Sequence, residues 1–383
     1  MSYTVPIAIF LLSQTSWLVS FTLTRFNLMK DQLSVFIAGV SCLAIVTVGP
    51  FLIFRRSFKC VDPLMCVISV FAWTSMIDLS IGLELDGYIS NFMGFYFAEG
   101  EPYLKTAHGT AINYWDGTVH FALYLAMIAL YSKGKSYRNV GLYWVGTILN
   151  SMIVLLQGGV AGNNPFKLSI LLNIPYVLLP LLAAFKFLHD RPPQARTFVT
   201  FQSINRRPID LLFVVYFIAA ICVAIFRGMT VLGGNAETMK EYHRIYEPYL
   251  LDPTNFPKFQ ILTYGYFFFA YYLSAVYGLL YPGQHWMADW SIIHAGAAAQ
   301  AQFTYIFGSC HHRTPISLQC PKEGAPALVF WTINLTLLLV PHLFTWWCSK
   351  DVESFGNTHT LEGSKPVVEQ TNGTTKIKSG KIA

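Results

Sequence analysis

Three sequence landmarks occur twice in this chain, in the same order and at similar spacing. The tetrapeptide Glu-Pro-Tyr-Leu occurs at 101–104 and again at 247–250, each time in a polar stretch that follows an apolar segment. Two further landmarks repeat around it: Asp62-Pro63 with Arg207-Pro208, and the pair Asn173 and Pro180 with the pair Asn334 and Pro341. The offsets of 145 to 161 residues predict a duplicated structural unit whose elements follow each other in parallel order.

The composition assigns both copies to a membrane. Apolar residues make up 54% of the chain and charged residues only 12%, which is roughly half the charged share of an ordinary soluble domain. A helix needs about 20 residues to cross a hydrocarbon core of about 30 Å, and it satisfies its own backbone hydrogen bonds there. Ten such spans are predicted, at 7–25, 33–54, 64–84, 111–131, 140–160, 168–187, 210–231, 260–280, 288–307 and 327–347.

The spans predict an all-α polytopic membrane protein in which two tandem four-helix modules follow two extra helices. The predicted segments are two N-terminal helices at 1–60, module one at 61–187, a linker at 188–207, module two at 208–348 and a polar, disordered tail at 349–383. Basic residues gather in the loops on the side of both termini, so the positive-inside rule places the termini and the linker in the cytosol. The net charge of +6 reflects this bias, and no basic stripe interleaved with aromatics indicates nucleic-acid binding.

Ionisable groups inside the spans of module one are the main functional signal. An ionised side chain at mid-bilayer costs at least about 2.5 kcal/mol on insertion scales. Asp78 lies in the first span of the module, and Asn113, Asp116 and His120 share one face of the second because their spacings are three and four residues. A carboxylate one turn from a histidine suits proton transfer or the binding of a cationic or hydroxylated ligand. The alternative is a polar network that fixes helix packing.

The last span of module one adds Asn173 and Tyr176, which can close the same cavity. The landmark positions of module two carry Arg227, Tyr264 and His294 in place of the acidic set. Arg227 is near the end of its span, where its charge can snorkel to the headgroups. Acid–base chemistry is not expected in module two, and an apolar ligand or a scaffold role fits it better.

Metal ions and cofactors are not expected. The seven cysteines fit no metal-ligand spacing, and the adjacent His311 and His312 have no third ligand nearby in the sequence. Cys310 and Cys320 share one predicted lumenal loop. They form a disulfide there in an oxidising compartment or stay free thiols, and the spacing alone leaves both open.

Long motifs resemble the transmembrane 6 superfamily over about residues 1–348. They include Tyr-Trp-Asp-Gly-Thr-Val-His at 114–120 and His-His-Arg-Thr-Pro at 311–315, with further runs at 99–109, 141–146 and 300–303. The resemblance implies that each module is an EXPERA domain, as in a sterol Δ8-Δ7 isomerase and the sigma-2 receptor. When this sequence is compared with the isomerase, the catalytic positions of the isomerase correspond to Asp78, Gly82, Asp116, Asn173 and Tyr176. Gly82 stands where the isomerase has a glutamate, so the catalytic set is incomplete.

The resemblance also implies a role. It indicates a protein of the endoplasmic reticulum membrane and the ER–Golgi intermediate compartment that promotes the lipidation and secretion of triglyceride-rich lipoproteins and limits lipid droplet content. The implied partners are membrane lipids or a sterol, with apolipoprotein B and lipoprotein assembly factors. Two alternatives stay open: an isomerase acting through Asp78 and Asp116, and a scaffold that binds no ligand.

Overall fold

The computed structural model describes residues 3–161, 167–191, 203–350 and Phe355. The N-terminal helices and module one contain α1 Thr4–Arg25, α2 Gln32–Ser57, α3 Pro63–Leu85, α4 Ala107–Trp115, α5 Phe121–Ser132, α6 Arg138–Ala161 and α7 Pro175–His189. Module two contains α8 Pro208–Val231, α9 Glu237–Ile245, α10 Phe256–Thr263, α11 Phe269–Leu280, α12 Trp286–Cys310 and α13 Gly324–Lys350. The described elements are all helical, which confirms the predicted fold class.

Seven of the described segments are long and apolar enough to cross a membrane: α1, α2, α3, α6, Leu168–His189 (a 3₁₀ turn that runs into α7), α8 and α13. Two further predicted spans, 111–131 and 260–280, are each divided into two shorter helices by a π turn. The remaining span corresponds to α12, whose 25 residues include the buried Gln300 and Gln302. The chain therefore forms a polytopic bundle in which some crossings are interrupted or polar.

The duplicated landmarks start equivalent elements in the two modules. A proline opens both α3 and α8, and each Glu-Pro-Tyr-Leu stretch folds into a 3₁₀ turn, at Pro102–Lys105 and at Pro248–Leu251. The π turns Asp116–His120 and Tyr264–Phe268 lie 148 residues apart and interrupt the same helix of each module. A π turn widens a helix by one residue and often marks a functional position. These matches support the repeat that the sequence predicts.

The two modules meet where α6 crosses α12, and glycines allow the two backbones to approach. A Cβ atom at Gly146 would lie 1.8 Å from the carbonyl oxygen of Ile293, and one at Gly296 would lie 2.1 Å from that of Tyr143. The contacts are reciprocal, because Gly146 and Gly296 are 150 residues apart and so are Tyr143 and Ile293. Reciprocal contacts of this kind define a pseudo-twofold axis between α6 and α12.

Polar side chains fix this interface at two depths. Asn150 donates a hydrogen bond of 2.5 Å to the amide oxygen of Gln300, and these two residues are also 150 positions apart. At the end of the interface that holds the linker, Arg138 binds both carboxylate oxygens of Asp289, at 2.8 and 2.6 Å. Arg191 binds the same carboxylate. A buried acid held by two arginines joins α12 to α6 and to the start of the linker.

The two N-terminal helices cover one side of module one. Helix α1 packs on α3, where Thr15 accepts a hydrogen bond of 3.0 Å from the Trp73 indole. Helix α2 is mostly exposed, as expected for a surface that faces lipid. It approaches module one at Gly39, where a Cβ atom would lie 2.7 Å from Leu172. Residues 1–2, 162–166, 192–202, 351–354 and 356–383 lie outside the described residues. Most of the linker and most of the predicted disordered tail at 349–383 fall there, whereas residues 349 and 350 end α13 and Phe355 is described.

Candidate functional site

A cavity inside module one brings together five of the six residues predicted from the sequence as a binding site. They are Asp78 on α3, Asn113 on α4, Asp116 at the start of the π turn, and Asn173 and Tyr176 at the start of the last helix. The cavity has a volume of about 150 Å³, and side chains of α1 and α2 close it. A second, apolar cavity of about 650 Å³ adjoins it, and Tyr176 lines both.

The polar wall of the first cavity is acidic. Asp78, Asp116 and Glu101 line it, and no lysine, arginine or histidine does so among the described residues. The Asp78 carboxyl group receives no hydrogen bond from a described residue, and its charged neighbours are Asp116 and Glu101. Several carboxyl groups in one poorly solvated space cannot all ionise without a counter-charge. The wall therefore favours either shared protons or a bound cation.

His120, the sixth predicted residue, does not line the cavity but supports Asp116 from behind. It is 2% exposed, and its Nδ1 atom lies 2.6 Å from Asp116 Oδ1. Its Nε2 atom lies 2.7 Å from the hydroxyl oxygen of Thr147, and that hydroxyl donates its proton to the Trp144 carbonyl. Nε2 is therefore the donor toward Thr147, and Nδ1 faces the Asp116 carboxyl group. The histidine and the aspartate form a close pair at the cavity wall.

The π turn sets the direction of Asp116. A Cβ atom at Gly117 would lie 2.7 Å from the Cα atom of Leu79, so only a glycine lets this turn lie against α3. Asn113, one turn earlier, donates a hydrogen bond of 2.9 Å to the Gly109 carbonyl, which leaves its side-chain oxygen free to accept from a ligand. The close contact with α3 brings Asp116 and Asp78 to the same cavity.

Glu101 is a site residue that the sequence reasoning assigned only to a lumenal loop. The loop folds back into the module, so the Glu101 side chain is 5% exposed and accepts a hydrogen bond of 2.6 Å from the Asn173 amide. Burial raises the pKa of the Glu101 carboxyl group to about 7, although the Asn173 hydrogen bond acts in the opposite direction. The duplication of Glu-Pro-Tyr-Leu was the sequence signal that could have found it.

Tyr176 stands between the polar and the apolar cavity. Its hydroxyl group donates a hydrogen bond of 2.7 Å to Thr74, and its ring stacks on Phe71 with centroids 4.5 Å apart and planes 14° apart. The stack on Phe71 fixes the orientation of the ring, which lines both cavities. An aromatic ring in this position can pack on an apolar ligand or interact with a positive charge.

Position 82, where the resemblance places an isomerase glutamate, is crowded by a neighbouring ring. A Cβ atom at Gly82 would lie 3.3 Å from the Tyr114 ring. Tyr114 extends past it and donates a hydrogen bond of 3.0 Å to Asp86 at the end of α3. The third carboxyl group of this cavity comes from Glu101, on a different element.

In module two, the equivalent glutamate is paired with a basic residue. Glu247 is buried and forms an ion pair with the buried Arg227, and Asn334 donates a hydrogen bond of 3.2 Å to it. Arg227 corresponds to Gly82 at the 145-residue offset. The expectation that Arg227 snorkels to the headgroups is wrong, because the buried carboxylate of Glu247 provides a partner inside the module. The two modules share the glutamate–asparagine pair, but only the second neutralises it with an arginine.

Cys310 at the end of α12 and Cys320 in the following loop lie close together. The sulfur atoms of Cys310 and Cys320 lie 3.0 Å apart, and both are free thiols in this structure. The contact with the Cys320 thiol lowers the pKa of Cys310 to about 6. His311 and His312 of the same loop face Asp86 of module one, and Arg313 also lies beside that carboxylate, at 3.6 Å. The structure thus supplies in Asp86 the third ligand that is not nearby in the sequence, and Arg313 gives the same carboxylate a basic neighbour.

The helical bundle defines a polytopic α-helical membrane protein with an internal acidic cavity. A family model described as transmembrane 6 superfamily member 2-like, transmembrane domain, matches residues 15–198. The chain is 42% identical to mouse transmembrane 6 superfamily member 2 over 295 residues, which are 75% of this chain and 78% of the relative. It is 38% identical to the human protein of that name over 347 residues, 88% of this chain and 91% of the relative. The chain belongs to the transmembrane 6 superfamily, and no solved structure matches it.

Proposed function

We propose that module one binds an amphipathic lipid whose polar end is cationic or hydroxylated. Through this site the protein regulates lipid metabolism in the endoplasmic reticulum membrane and the ER–Golgi intermediate compartment, with both termini in the cytosol. In this role it promotes the lipidation and secretion of triglyceride-rich lipoproteins and limits lipid droplet content. Apolipoprotein B and lipoprotein assembly factors are its proposed partners on the lumenal side.

The observation that carries this proposal is the joining of an acidic cavity to an apolar one at Tyr176. The acidic part holds Asp78, Asp116 and Glu101 without a basic residue from the described part of the chain. A positively charged head satisfies such a wall, and a hydroxyl group can hydrogen-bond to it. The adjoining apolar volume accepts the hydrocarbon of the same molecule, and burying it supplies roughly 25 cal/mol per Å² of apolar surface.

Binding to purified protein in nanodiscs tests this proposal. The probe is a fluorescent long-chain amine, compared with its uncharged N-acetyl form. We expect Asp116→Asn and Asp78→Asn to weaken binding of the amine at least tenfold, which corresponds to about 1.4 kcal/mol. The matched control is Glu237→Gln on α9, because that side chain is 86% exposed. Unchanged binding by Asp116→Asn would overturn the proposal.

The role of this site is tested by measuring triglyceride secretion from hepatocyte-like cells that lack the protein. We expect the unchanged chain to restore triglyceride secretion and Asp116→Asn to fail. A scaffold that binds no ligand predicts the reverse, so that Asp116→Asn restores secretion while changes on the lumenal helix α9 do not. Substitutions of Glu101 do not separate the two ideas, because this residue belongs to the cavity.

A sterol isomerase is a second candidate, because His120 lies in contact with Asp116, and Asp116 lines the same cavity as Asp78. Isomerisation needs an acid that protonates one alkene carbon and a base that removes a neighbouring proton. Microsomes from cells without their own Δ8-Δ7 isomerase, supplied with a Δ8 sterol, test this by mass spectrometry. Turnover that disappears in Asp116→Asn would support catalysis. Absence of turnover, where a control isomerase works, would leave binding without transformation.

A further inference from the structure

Module two contains an aromatic cavity of its own. It lies between α11 and α12 and has a volume of about 360 Å³. Its walls are mainly rings, among them Tyr266, Tyr271, Trp286 and Trp290. No acidic, lysine or arginine side chain from the described residues lines it. The cavity therefore differs in chemistry from the acidic one in module one.

Several polar groups line this cavity, and His294 is one whose hydrogen-bonding capacity is unused. The side chain lines the cavity and is only 3% exposed. Neither its Nδ1 nor its Nε2 atom has a hydrogen-bond partner among the described residues. A buried polar atom without a partner costs roughly 1–3 kcal/mol. The Tyr271 hydroxyl group, whose ring stacks on His294 with centroids 4.2 Å apart, is likewise buried without a partner.

Packing alone does not account for a histidine here. The rings of Phe217, Phe268 and Tyr272 surround the imidazole, so a phenylalanine would fill the same space without leaving two nitrogen atoms unsatisfied. A neutral imidazole has one N–H donor and one lone pair. A single hydroxyl group can accept from the first or donate to the second. The Tyr271 hydroxyl offers a further donor and acceptor beside it.

The walls narrow the class of ligand further. Flat aromatic faces pack closely on a flat, rigid ring system, and no charged side chain among the described lining residues can pair with the phosphate of a phospholipid. Tyr266 is 48% exposed and Trp290 is 40% exposed, so the cavity opens on the outer face of the bundle, where lipid surrounds a membrane protein. An occupant can therefore enter from the bilayer. A sterol combines one hydroxyl group with a rigid, uncharged ring body.

We propose that module two binds a sterol in this cavity, with the sterol hydroxyl group hydrogen-bonded to His294. The site is independent of the acidic cavity of module one, because the two share no lining residue. The protein then carries two lipid sites of different chemistry, one acidic and one neutral, on either side of the α6–α12 contact.

Photolabelling of the full chain in nanodiscs tests the proposal. The probe is a diazirine-bearing cholesterol analogue, compared with a diazirine-bearing diacylglycerol and phosphatidylcholine, and labelled peptides are identified by mass spectrometry. We expect the sterol probe to label α11 and α12, and His294→Phe to lower that labelling at least fivefold. Ala270→Trp, which adds bulk to a lining position on α11, should do the same.

His108→Phe provides a matched control. His108 is also a buried histidine with an unpartnered Nε2 atom, and it stacks on Phe256 with centroids 4.8 Å apart, but it does not line this cavity. This variant and Asp116→Asn should keep full labelling of α11 and α12. Full labelling in both His294→Phe and Ala270→Trp would overturn the proposal. Equal labelling by the diacylglycerol or phosphatidylcholine probe would also overturn it, because it would indicate a lipid-exposed surface rather than a sterol site.

Discussion

The side-chain amide of Asn173 donates a hydrogen bond of 2.6 Å to the Glu101 carboxyl group. This bond joins two landmarks that lie 72 positions apart and that both recur in module two, where Asn334 and Glu247 are paired in the same way. The conserved element of the duplication is thus a glutamate held inside the helical bundle by an asparagine. What differs is the neutralising charge, which Arg227 supplies in module two and which the described residues of the module-one cavity do not provide.

Glu101 should make the stability of the protein depend on pH. Burial raises the pKa of its folded form to about 7 from the ordinary value of 4.5, so between these pH values the folded carboxyl group keeps a proton that the unfolded one has lost. Stability therefore falls as pH rises through this window, by up to about 3 kcal/mol from this group.

We expect Glu101→Gln to remove that part of the pH dependence. Unfolding temperatures of both proteins between pH 4.5 and 8 should diverge as pH rises, with the variant becoming relatively more stable. Asp78, Asp116, Tyr96 and Tyr103 also face Glu101, so the comparison rests on the difference between the two curves. Parallel curves would contradict the prediction.

Removing Arg227 should destabilise module two strongly. Arg227→Met leaves the Glu247 carboxylate buried without its ion-pair partner, which typically costs about 3–5 kcal/mol. The double variant Arg227→Met with Glu247→Gln removes the unpaired charge and should recover much of the loss. Urea unfolding in detergent micelles, followed by circular dichroism, measures both.

The exposed Arg244 on α9 supplies the control for this cycle. Arg244→Met should change stability by less than about 0.5 kcal/mol, as surface substitutions usually do. If the double variant were as unstable as the single one, the loss would come from the packing of the arginine side chain and not from the orphaned carboxylate.

The glycine contact between the modules should not tolerate one added methyl group. In Gly146→Ala the new Cβ atom would lie 1.8 Å from the Ile293 carbonyl oxygen, so α6 and α12 must separate. We expect a loss of about 1–3 kcal/mol, measured as a lower thermal unfolding midpoint. Gly228→Ala on α8 is the control, because nothing lies within 4 Å of its Cβ position. That change should be neutral or stabilise the helix by up to about 1 kcal/mol, and equal losses in both variants would refute the close contact.

The thiols of Cys310 and Cys320 should be oxidised to a disulfide when the chain is made in an oxidising compartment. We expect maleimide–polyethylene glycol to label them only after reduction, while the exposed Cys60 is labelled throughout. After reduction, Cys310 should react first at pH 7, because its pKa of about 6 makes it mostly a thiolate. Immediate labelling of both without a reductant would show that they stay free.

The sequence by itself determined the elements and the main site residues. Hydropathy fixed the helical segments, because lipid leaves a backbone few other choices. The landmarks fixed the duplication, and the intramembrane positions of Asp78 and Asp116 indicated the cavity, because charges at that depth are expensive.

Only the tertiary structure decided how these parts meet. Helical spacing put His120 on the same face as Asp116, but the π turn and the contact with α3 direct Asp116 into the cavity and leave His120 behind it on Thr147. Glu101 lies in a polar loop by sequence, yet the loop folds back and buries it against Asn173. The sequence shows His294 as a polar residue within α12, and only the structure shows that aromatic rings of α11 pack around it. Periodicity gives the face of a helix that a residue occupies, whereas the environment of that face depends on which distant segment packs against it.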